Sequence, residues 1–182
     1  NDLLDGVPQP KGPGKNWQEE DIAPLLAGGL GNRNFEDGKN MFAATTCITC
    51  HSMGGAGENI GPDLTQLGTR FSPEDMLKAI IDPSAVITDQ YNTTTFSLKN
   101  GQAVVGRIVN EDQQNYTISQ NPYAPEVTRT IPKDQVTGKA QSTVSLMPPG
   151  TINRLNPDEL KDLLAYLVAG GNPDNAIYKE AK

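Results

Sequence analysis

The feature that most constrains this chain is the five-residue segment Cys47-Ile48-Thr49-Cys50-His51. It contains both cysteines and the single histidine of the 182 residues. Because the two cysteines are only three positions apart, they cannot join distant parts of the chain, and their spacing indicates local chemistry. The segment therefore predicts one small site built from contiguous residues, and not a framework of disulfides.

The Cys-x-x-Cys-His pattern is typical of covalent haem attachment. Two thiols at this spacing on a helical turn can form thioethers with the two vinyl groups of one porphyrin, and the imidazole that follows can ligate the iron. The alternatives explain less. A zinc site needs about four ligands, a thioredoxin-like pair expects a strand before its first cysteine, and a local disulfide gives the histidine no role. The motif predicts one haem c, with its iron, held by Cys47, Cys50 and His51.

The second axial ligand of such an iron is constrained because His51 is the only histidine. Bis-histidine ligation within the chain is excluded, which leaves methionine, a rarer side chain, water or no ligand. Met53 is too close to His51 in sequence to reach the opposite face, and Met41 and Met76 are expected to pack in the core. Met147 lies in a loop before the last predicted helix, and two following prolines stiffen that loop. It is the best candidate for the distal ligand.

Helices are predicted on both sides of the motif. Segment 34–45 has the apolar spacing of a short helix that leads into the attachment residues. A second helix begins after Ser72 as N-cap and ends at Pro83. The last helix begins after Asn156 with a capping box and stops at Gly170.

Between the second and last helices the pattern changes to alternation rich in Thr, Val, Tyr and Ile. Asn100-Gly101 predicts a hairpin with a type I′ turn, and two further strands, YTIS and VTRTI, follow it. We therefore predict a mainly α fold, a helical core around one haem, with a small antiparallel β-sheet inserted at about 87–143. Residues 1–31, rich in Pro, Gly and charge, are expected to form an extended arm, and residues 32–182 the interrupted haem domain.

Composition narrows the classes of function. The formal net charge of −7 disfavours binding to nucleic acid or anionic lipid and favours a partner with a basic surface. No apolar run approaches the length of a membrane span. With 18 glycines and 14 prolines, the chain has many loops and a lean core, which a buried haem would help to stabilise. Trp17 is expected to pin the N-terminal arm onto the domain. No constellation of acid and base residues suggests an enzyme.

Taken together, these motifs resemble those of class I monohaem cytochromes c. The resemblance covers the helix with Gly38 and Phe42, the attachment motif, segment 60–70, and Met147 with the final helix. More narrowly, the chain looks like the haem-binding cytochrome domains of planctomycete and verrucomicrobial proteins. Those domains combine the sequence GPDLT, a helix that ends in Asp-Pro-Ser, a strand-rich insert and a late Ser-x-Met-Pro.

The resemblance implies roles for matching residues. The carbonyl of Pro62 would accept a hydrogen bond from the imidazole of His51 and so fix the ring. Arg70 would lie near a haem propionate, and Tyr166 would pack where the first and last helices cross. Because thioether attachment in this family occurs outside the cytoplasm, we expect a periplasmic or other extracytoplasmic location. The start at Asn1, not Met, suggests a processed product and is compatible with a membrane-anchored or fused precursor.

Three functions remain compatible with the sequence. The first, which we expect, is one-electron transfer as a carrier or electron-transfer domain, with a redox partner that presents a basic docking surface. The second is a haem enzyme or gas-binding protein with an open distal site, and the third is a structural module with a Cys-x-x-Cys disulfide and no haem. The β insert either steadies the distal loop before Met147 or docks a partner.

Overall fold

The computed structural model describes residues 2–179 of the chain. These residues form two compact units. The helical unit comprises the residues up to Pro83 together with those from Pro148 onwards, and the β unit comprises Ser84–Met147.

The helical unit contains α1 (Ile22–Leu26), α2 (Phe35–Ala44), α3 (Pro73–Ile81) and α4 (Pro157–Ala169). The three longer helices begin at local capping signals, because the side chains of Asn34, Ser72 and Asn156 each accept a hydrogen bond from the third helical N–H. α4 ends at Gly170, whose φ of 61° is the left-handed conformation common at helix ends. The predicted beginnings of α3 and α4, and the end of α4, are therefore confirmed.

The crossing of α2 and α4 forms the centre of the helical unit. Gly38 on α2 lies directly against α4, where a Cβ would stand 2.7 Å from Cβ of Tyr166 and would overlap the carbonyl oxygen of Asp162. The ring of Tyr166 lies 5.5 Å from the ring of Phe35 and 5.4 Å from that of Phe42, measured between centroids. This confirms that Tyr166 packs at the helix crossing. The same helix buries a stripe of leucines: Leu160, Leu163, Leu164 and Leu167.

The segment predicted as an extended arm is held on the helical unit by hydrogen bonds. It contains α1 and two short 3-10 turns, and extended backbone connects them. Trp17 is buried, and its indole N–H donates to the carbonyl of Leu155 at 3.1 Å, which confirms its anchoring role. The backbone N–H of Lys11 donates to the carboxylate of Glu159 at 2.7 Å. The division of the chain at residue 31 stays a prediction.

The β unit is a five-stranded antiparallel sheet whose strands are β3 (Thr94–Leu98), β4 (Ala103–Glu111), β5 (Asn115–Ser119), β6 (Thr128–Pro132) and β7 (Val136–Gln141). Their order in the sheet is β6-β5-β4-β3-β7. Its own small core consists of Phe96, Val104, Ile118 and Ile131. Two strands of two residues each, β1 (Ser52–Met53) and β2 (Ala56–Gly57), form a separate hairpin in the helical unit.

The predicted hairpin at Asn100-Gly101 is confirmed, but its turn type is wrong. A type I′ turn needs positive φ at both central residues, and here Gly101 has φ 84° whereas Asn100 does not have a positive φ. The N–H of Gly101 donates to the carbonyl of Leu98, and the N–H of Leu98 donates to the carbonyl of Gln102. The loop is therefore a three-residue loop with glycine in the left-handed position.

The prediction of a mainly α fold is wrong. Helical residues, with the 3-10 turns included, account for 32% of the chain and strands for 19%, so neither class dominates. The four α-helices in the described residues have 5, 10, 9 and 13 residues. The strand content is also higher than the sequence predicts, because the sequence pattern does not indicate β7. Its sequence, VTGKAQ, is weakly apolar, and it becomes a strand through pairing with β3.

Candidate haem site

The attachment residues lie on a single tight turn that follows α2. The turn Cys47–Thr49 is a 3-10 helix, and the N–H groups of Cys50 and His51 both donate to the carbonyl of Cys47, at 3.1 and 2.9 Å. Thr46, between α2 and the turn, has φ 67°, a left-handed conformation that is uncommon for a β-branched residue. This sharp change of direction ends the helix, and the two cysteines and the histidine follow it within the segment Cys47–His51.

Both thiols are available for covalent chemistry. Cys47 and Cys50 are free cysteines and are not joined to each other. Burial raises the pKa of the Cys47 thiol, and a contact of 3.3 Å with the hydroxyl of Thr45 acts in the opposite direction with a smaller effect. Thr45 itself is buried, and its hydroxyl donates to the carbonyl of Met41 at 2.7 Å. The thiol of Cys47 is therefore neutral and held at a defined place.

The imidazole of His51 is oriented by the carbonyl oxygen of Pro62. The distance from Nδ1 to this oxygen is 2.7 Å, and since a carbonyl can only accept, the proton of the neutral ring must be on Nδ1. Nε2 then keeps its lone pair, which is what an iron ligand requires. Burial lowers the pKa of His51, although the hydrogen bond to Pro62 partly offsets this effect. A neutral imidazole with a free Nε2 is the form that the site favours.

The imidazole of His51 packs directly against Gly61. A Cβ at this position would lie 2.6 Å from Cε1 and 2.9 Å from Nδ1 of His51. The N–H of Gly61 donates to the carbonyl of Cys50 at 2.7 Å, which holds the backbone close to the attachment turn. Only a residue without a side chain permits this approach. The sequence places Gly61 in a recognisable segment, but its contact with the ring is a property of the folded chain.

The other predicted site residues have less defined surroundings. Pro62 is exposed apart from the carbonyl contact described above. Arg70 is also exposed; its backbone N–H ends a 3-10 turn by donating to Leu67, and within residues 2–179 its guanidinium makes no hydrogen bond or ion pair. A free guanidinium is compatible with a propionate partner, and that role stays a prediction.

The four methionines differ in burial. Met41, Met53 and Met76 are 6%, 3% and 3% exposed and pack in the core of the helical unit, as expected for Met41 and Met76. Met147 is only partly buried, and its backbone N–H donates to the hydroxyl of Ser145 at 3.1 Å within the β unit. Its place as a ligand stays a prediction.

The residues of the attachment turn fit a covalently bound haem. Two free thiols lie on one turn, and the adjacent imidazole has its proton held on Nδ1 by a backbone carbonyl. This donor set matches the chemistry of thioether formation and axial ligation. Among residues 2–179, no three side chains of the types His, Cys, Asp and Glu are grouped so that they could hold a metal ion.

Comparison with known proteins agrees with this reading of the site. Residues 35–119, just under half of the chain, match the family model of Cytochrome c. The matched region includes α2, the attachment motif and α3, and it extends into the β unit as far as the end of β5. No curated protein matches the chain.

The match supports a relationship between this chain and a cytochrome c family. Domains of this family carry covalently bound haem c with iron, typically act in electron transport and are usually extracytoplasmic. In the part of the chain that the structure describes, no helix has the length and apolar character needed to span a membrane.

Proposed function

We propose that this chain transfers single electrons through one haem c, attached to Cys47 and Cys50 and ligated by His51, as a carrier or as the electron-transfer domain of a larger system. The observation that carries the proposal is the hydrogen bond from Nδ1 of His51 to the carbonyl of Pro62. It leaves Nε2 free in a motif that also carries two unpaired thiols, and this arrangement suits axial ligation better than disulfide exchange.

The chain's own residues would perform separate parts of this function. When bound, the haem supplies a reversible one-electron couple at its iron. Cys47 and Cys50 would hold the porphyrin by thioether bonds, so that it cannot dissociate. The carbonyl of Pro62 holds the Nδ1 proton of His51 and so raises the basicity of Nε2.

The first prediction concerns covalent attachment. Protein matured in a host that exports and attaches c-type haem should keep one haem in denaturing mass spectrometry, because thioether bonds survive unfolding. A variant with Cys47→Ala and Cys50→Ala, made in the same host, should show the bare polypeptide mass. A bare mass for the unaltered protein would exclude covalent haem. If haem became attached to protein that had not been exported, the result would contradict the extracytoplasmic location that we propose.

The proposed distal ligand is Met147. The three other methionines are buried in the core of the helical unit, whereas Met147 is partly exposed in a loop followed by two prolines. A thioether ligand favours ferrous iron and gives a higher reduction potential than bis-histidine ligation. The narrower resemblance to planctomycete and verrucomicrobial haem-binding domains, with their late Ser-x-Met-Pro, supports the same choice, and we propose that class for the chain.

The second prediction is that Met147→Ala lowers the reduction potential and lets reduced iron bind CO, because the iron loses its sulfur ligand. Absorption spectra with and without CO, together with a redox titration, measure both effects. Met76→Leu is the matched control and should leave both properties unchanged. If the methionine–iron charge-transfer band survives in Met147→Ala, another residue is the ligand. CO binding by the unaltered protein would instead favour the alternative function, with an open distal site.

The distribution of charge supports a basic partner that docks on the helical unit. Ser84–Met147 contains five acidic and five basic residues, so the β unit is formally neutral. The whole net charge of −7 therefore belongs to the helical unit, which also contains the attachment motif. Long-range attraction between this unit and a basic surface would accelerate encounter.

The third prediction is that the rate of electron exchange with the native partner falls as ionic strength rises, because salt screens the attraction between exposed charges. Stopped-flow kinetics over a salt series measure this dependence. Reduction by an uncharged small molecule is the control and should vary little. A flat rate with the partner would show that the acidity serves solubility alone.

A further inference from the structure

The loop that contributes Pro62 to the site is held by a side chain outside the attachment motif. A carboxylate oxygen of Asp63 accepts a hydrogen bond from the backbone N–H of Thr65 at 2.8 Å. This is the arrangement of an Asx turn, in which a side-chain oxygen substitutes for a backbone carbonyl. Hydrogen bonds from the hydroxyl and the N–H of Thr65 lower the pKa of Asp63, so the carboxylate is ionised at neutral pH.

The turn is fastened to the hairpin that follows His51. The N–H of Leu64 donates to the carbonyl of Ser52 on β1 at 2.9 Å. The N–H of Gly54, in the hairpin loop, donates to the hydroxyl of Thr65, also at 2.9 Å. Because Thr65 is oriented by Asp63, this second contact depends on the carboxylate.

Pro62 lies between two anchored positions. On one side, the N–H of Gly61 donates to the carbonyl of Cys50; on the other, Leu64 is bound to Ser52. With Gly61 and Leu64 fixed on either side of the Pro62–Asp63 pair, the carbonyl of Pro62 has little freedom, and it lies 2.7 Å from Nδ1 of His51. The turn closed by Asp63 is therefore part of what aims this carbonyl at the imidazole.

We propose that Asp63 is a positioning residue for the proximal ligand, which acts through Thr65 to hold the Pro62 carbonyl on Nδ1 of His51. This inference rests on the proposed haem function. The strength of the hydrogen bond to a ligating imidazole sets the basicity of that ligand, and a more basic imidazole favours ferric iron. Through the turn, Asp63 thus tunes the reduction potential without touching the histidine.

The test compares Asp63→Ala with Asp63→Asn in the haem-loaded protein. Asparagine keeps an oxygen that can accept from Thr65 but removes the charge, whereas alanine removes both. In Asp63→Ala, NMR should show exchange of the Nδ1 proton of His51 with water roughly fivefold faster, as expected for the loss of about one hydrogen bond. The reduction potential of this variant should rise. Asp63→Asn should retain the exchange rate of the unaltered protein, and its potential should change less than that of Asp63→Ala.

Two results would overturn the proposal. Unchanged Nδ1 exchange in Asp63→Ala would show that the carbonyl is held without the turn. Equal shifts of potential in both variants, with equal exchange rates, would show that the charge alone acts from a distance.

Failure of the haem function itself would be seen separately, because the mass spectrum of the unaltered protein would then lack haem. In that case, exchange of the backbone N–H of Gly54 still tests the turn. Faster exchange in Asp63→Ala, but not in Asp63→Asn, would support the positioning role of Asp63, and equal exchange would refute it.

Discussion

Replacing Gly61 with alanine is expected to displace His51 and reduce the fraction of protein with a correctly ligated haem by about tenfold or more. The new Cβ would lie 2.6 Å from Cε1 and 2.9 Å from Nδ1 of the imidazole, whereas carbon atoms in contact are normally about 3.5–4.0 Å apart. The loop cannot simply withdraw, since Gly61 is hydrogen-bonded to Cys50 and Leu64 to Ser52. Overpacking of this kind costs about 1–3 kcal/mol, and here it would displace the imidazole of His51, the proposed iron ligand. Absorption spectra and redox titration at equal protein concentration measure the loss.

Gly28→Ala is the matched control for this variant. A Cβ at Gly28 meets no atom within 4 Å, and its φ is not in the left-handed region. It should therefore load haem normally and keep the potential of the unaltered protein. If Gly61→Ala behaves in the same way, the imidazole does not rest on Gly61 and the geometry of the proximal side must be revised.

Replacing Gly38 with alanine is expected to reduce the free energy of unfolding by about 2 kcal/mol. Two effects oppose each other at this position. Alanine in a helix interior is favoured over glycine by about 1 kcal/mol. However, the new Cβ would lie 2.7 Å from Cβ of Tyr166 and would overlap the backbone carbonyl of Asp162. A backbone atom in a packed helix cannot move aside as a flexible side chain can, so the steric term should dominate and push α2 and α4 apart.

Denaturant titration of the haem-loaded protein measures this loss, and Gly31→Ala, which meets nothing within 4 Å, is the control. The near-ultraviolet signal of Tyr166 should change in Gly38→Ala, since its ring lies between Phe35 and Phe42. A Gly38→Ala variant that is more stable than the unaltered protein would mean that helix propensity outweighs the contact. The close approach of α2 and α4 would then not determine which residue is tolerated at position 38.

Helices α2, α3 and α4 could be predicted because their signals are local, whereas α1 lies in the segment that the sequence predicts as an extended arm. Ser72 and Asn156 each accept a hydrogen bond from an N–H three residues later, and this interaction is encoded within one turn of sequence. The strands that could be recognised, such as β5 and β6, carry alternating β-branched and apolar residues. β7 could not be recognised, since its residues become a strand only when β3 offers an edge to pair with.

The mainly α prediction failed for a related reason. The alternating segment predicts a small insertion, yet its strands bury Phe96, Val104, Ile118 and Ile131 in a core of their own. A hydrophobic core is formed by side chains that are far apart in the sequence. The number of strands needed to enclose it therefore cannot be predicted from hairpin signals alone. The prediction of a type I′ turn was wrong for a similar reason, because the register in which β3 pairs with β4 sets the length of the loop.

The sequence by itself determined the chemistry of the candidate site, because the spacing of Cys47, Cys50 and His51 within one short segment brings two thiols and an imidazole onto one turn. Only the tertiary structure decided how that imidazole is held. Gly61 and the carbonyl of Pro62, which contact His51, belong to a loop about ten residues further along the chain. Asp63 closes a local turn in that loop, but the loop is held near His51 because Gly54 of the hairpin after the motif donates to Thr65, a contact across eleven residues that no spacing rule predicts.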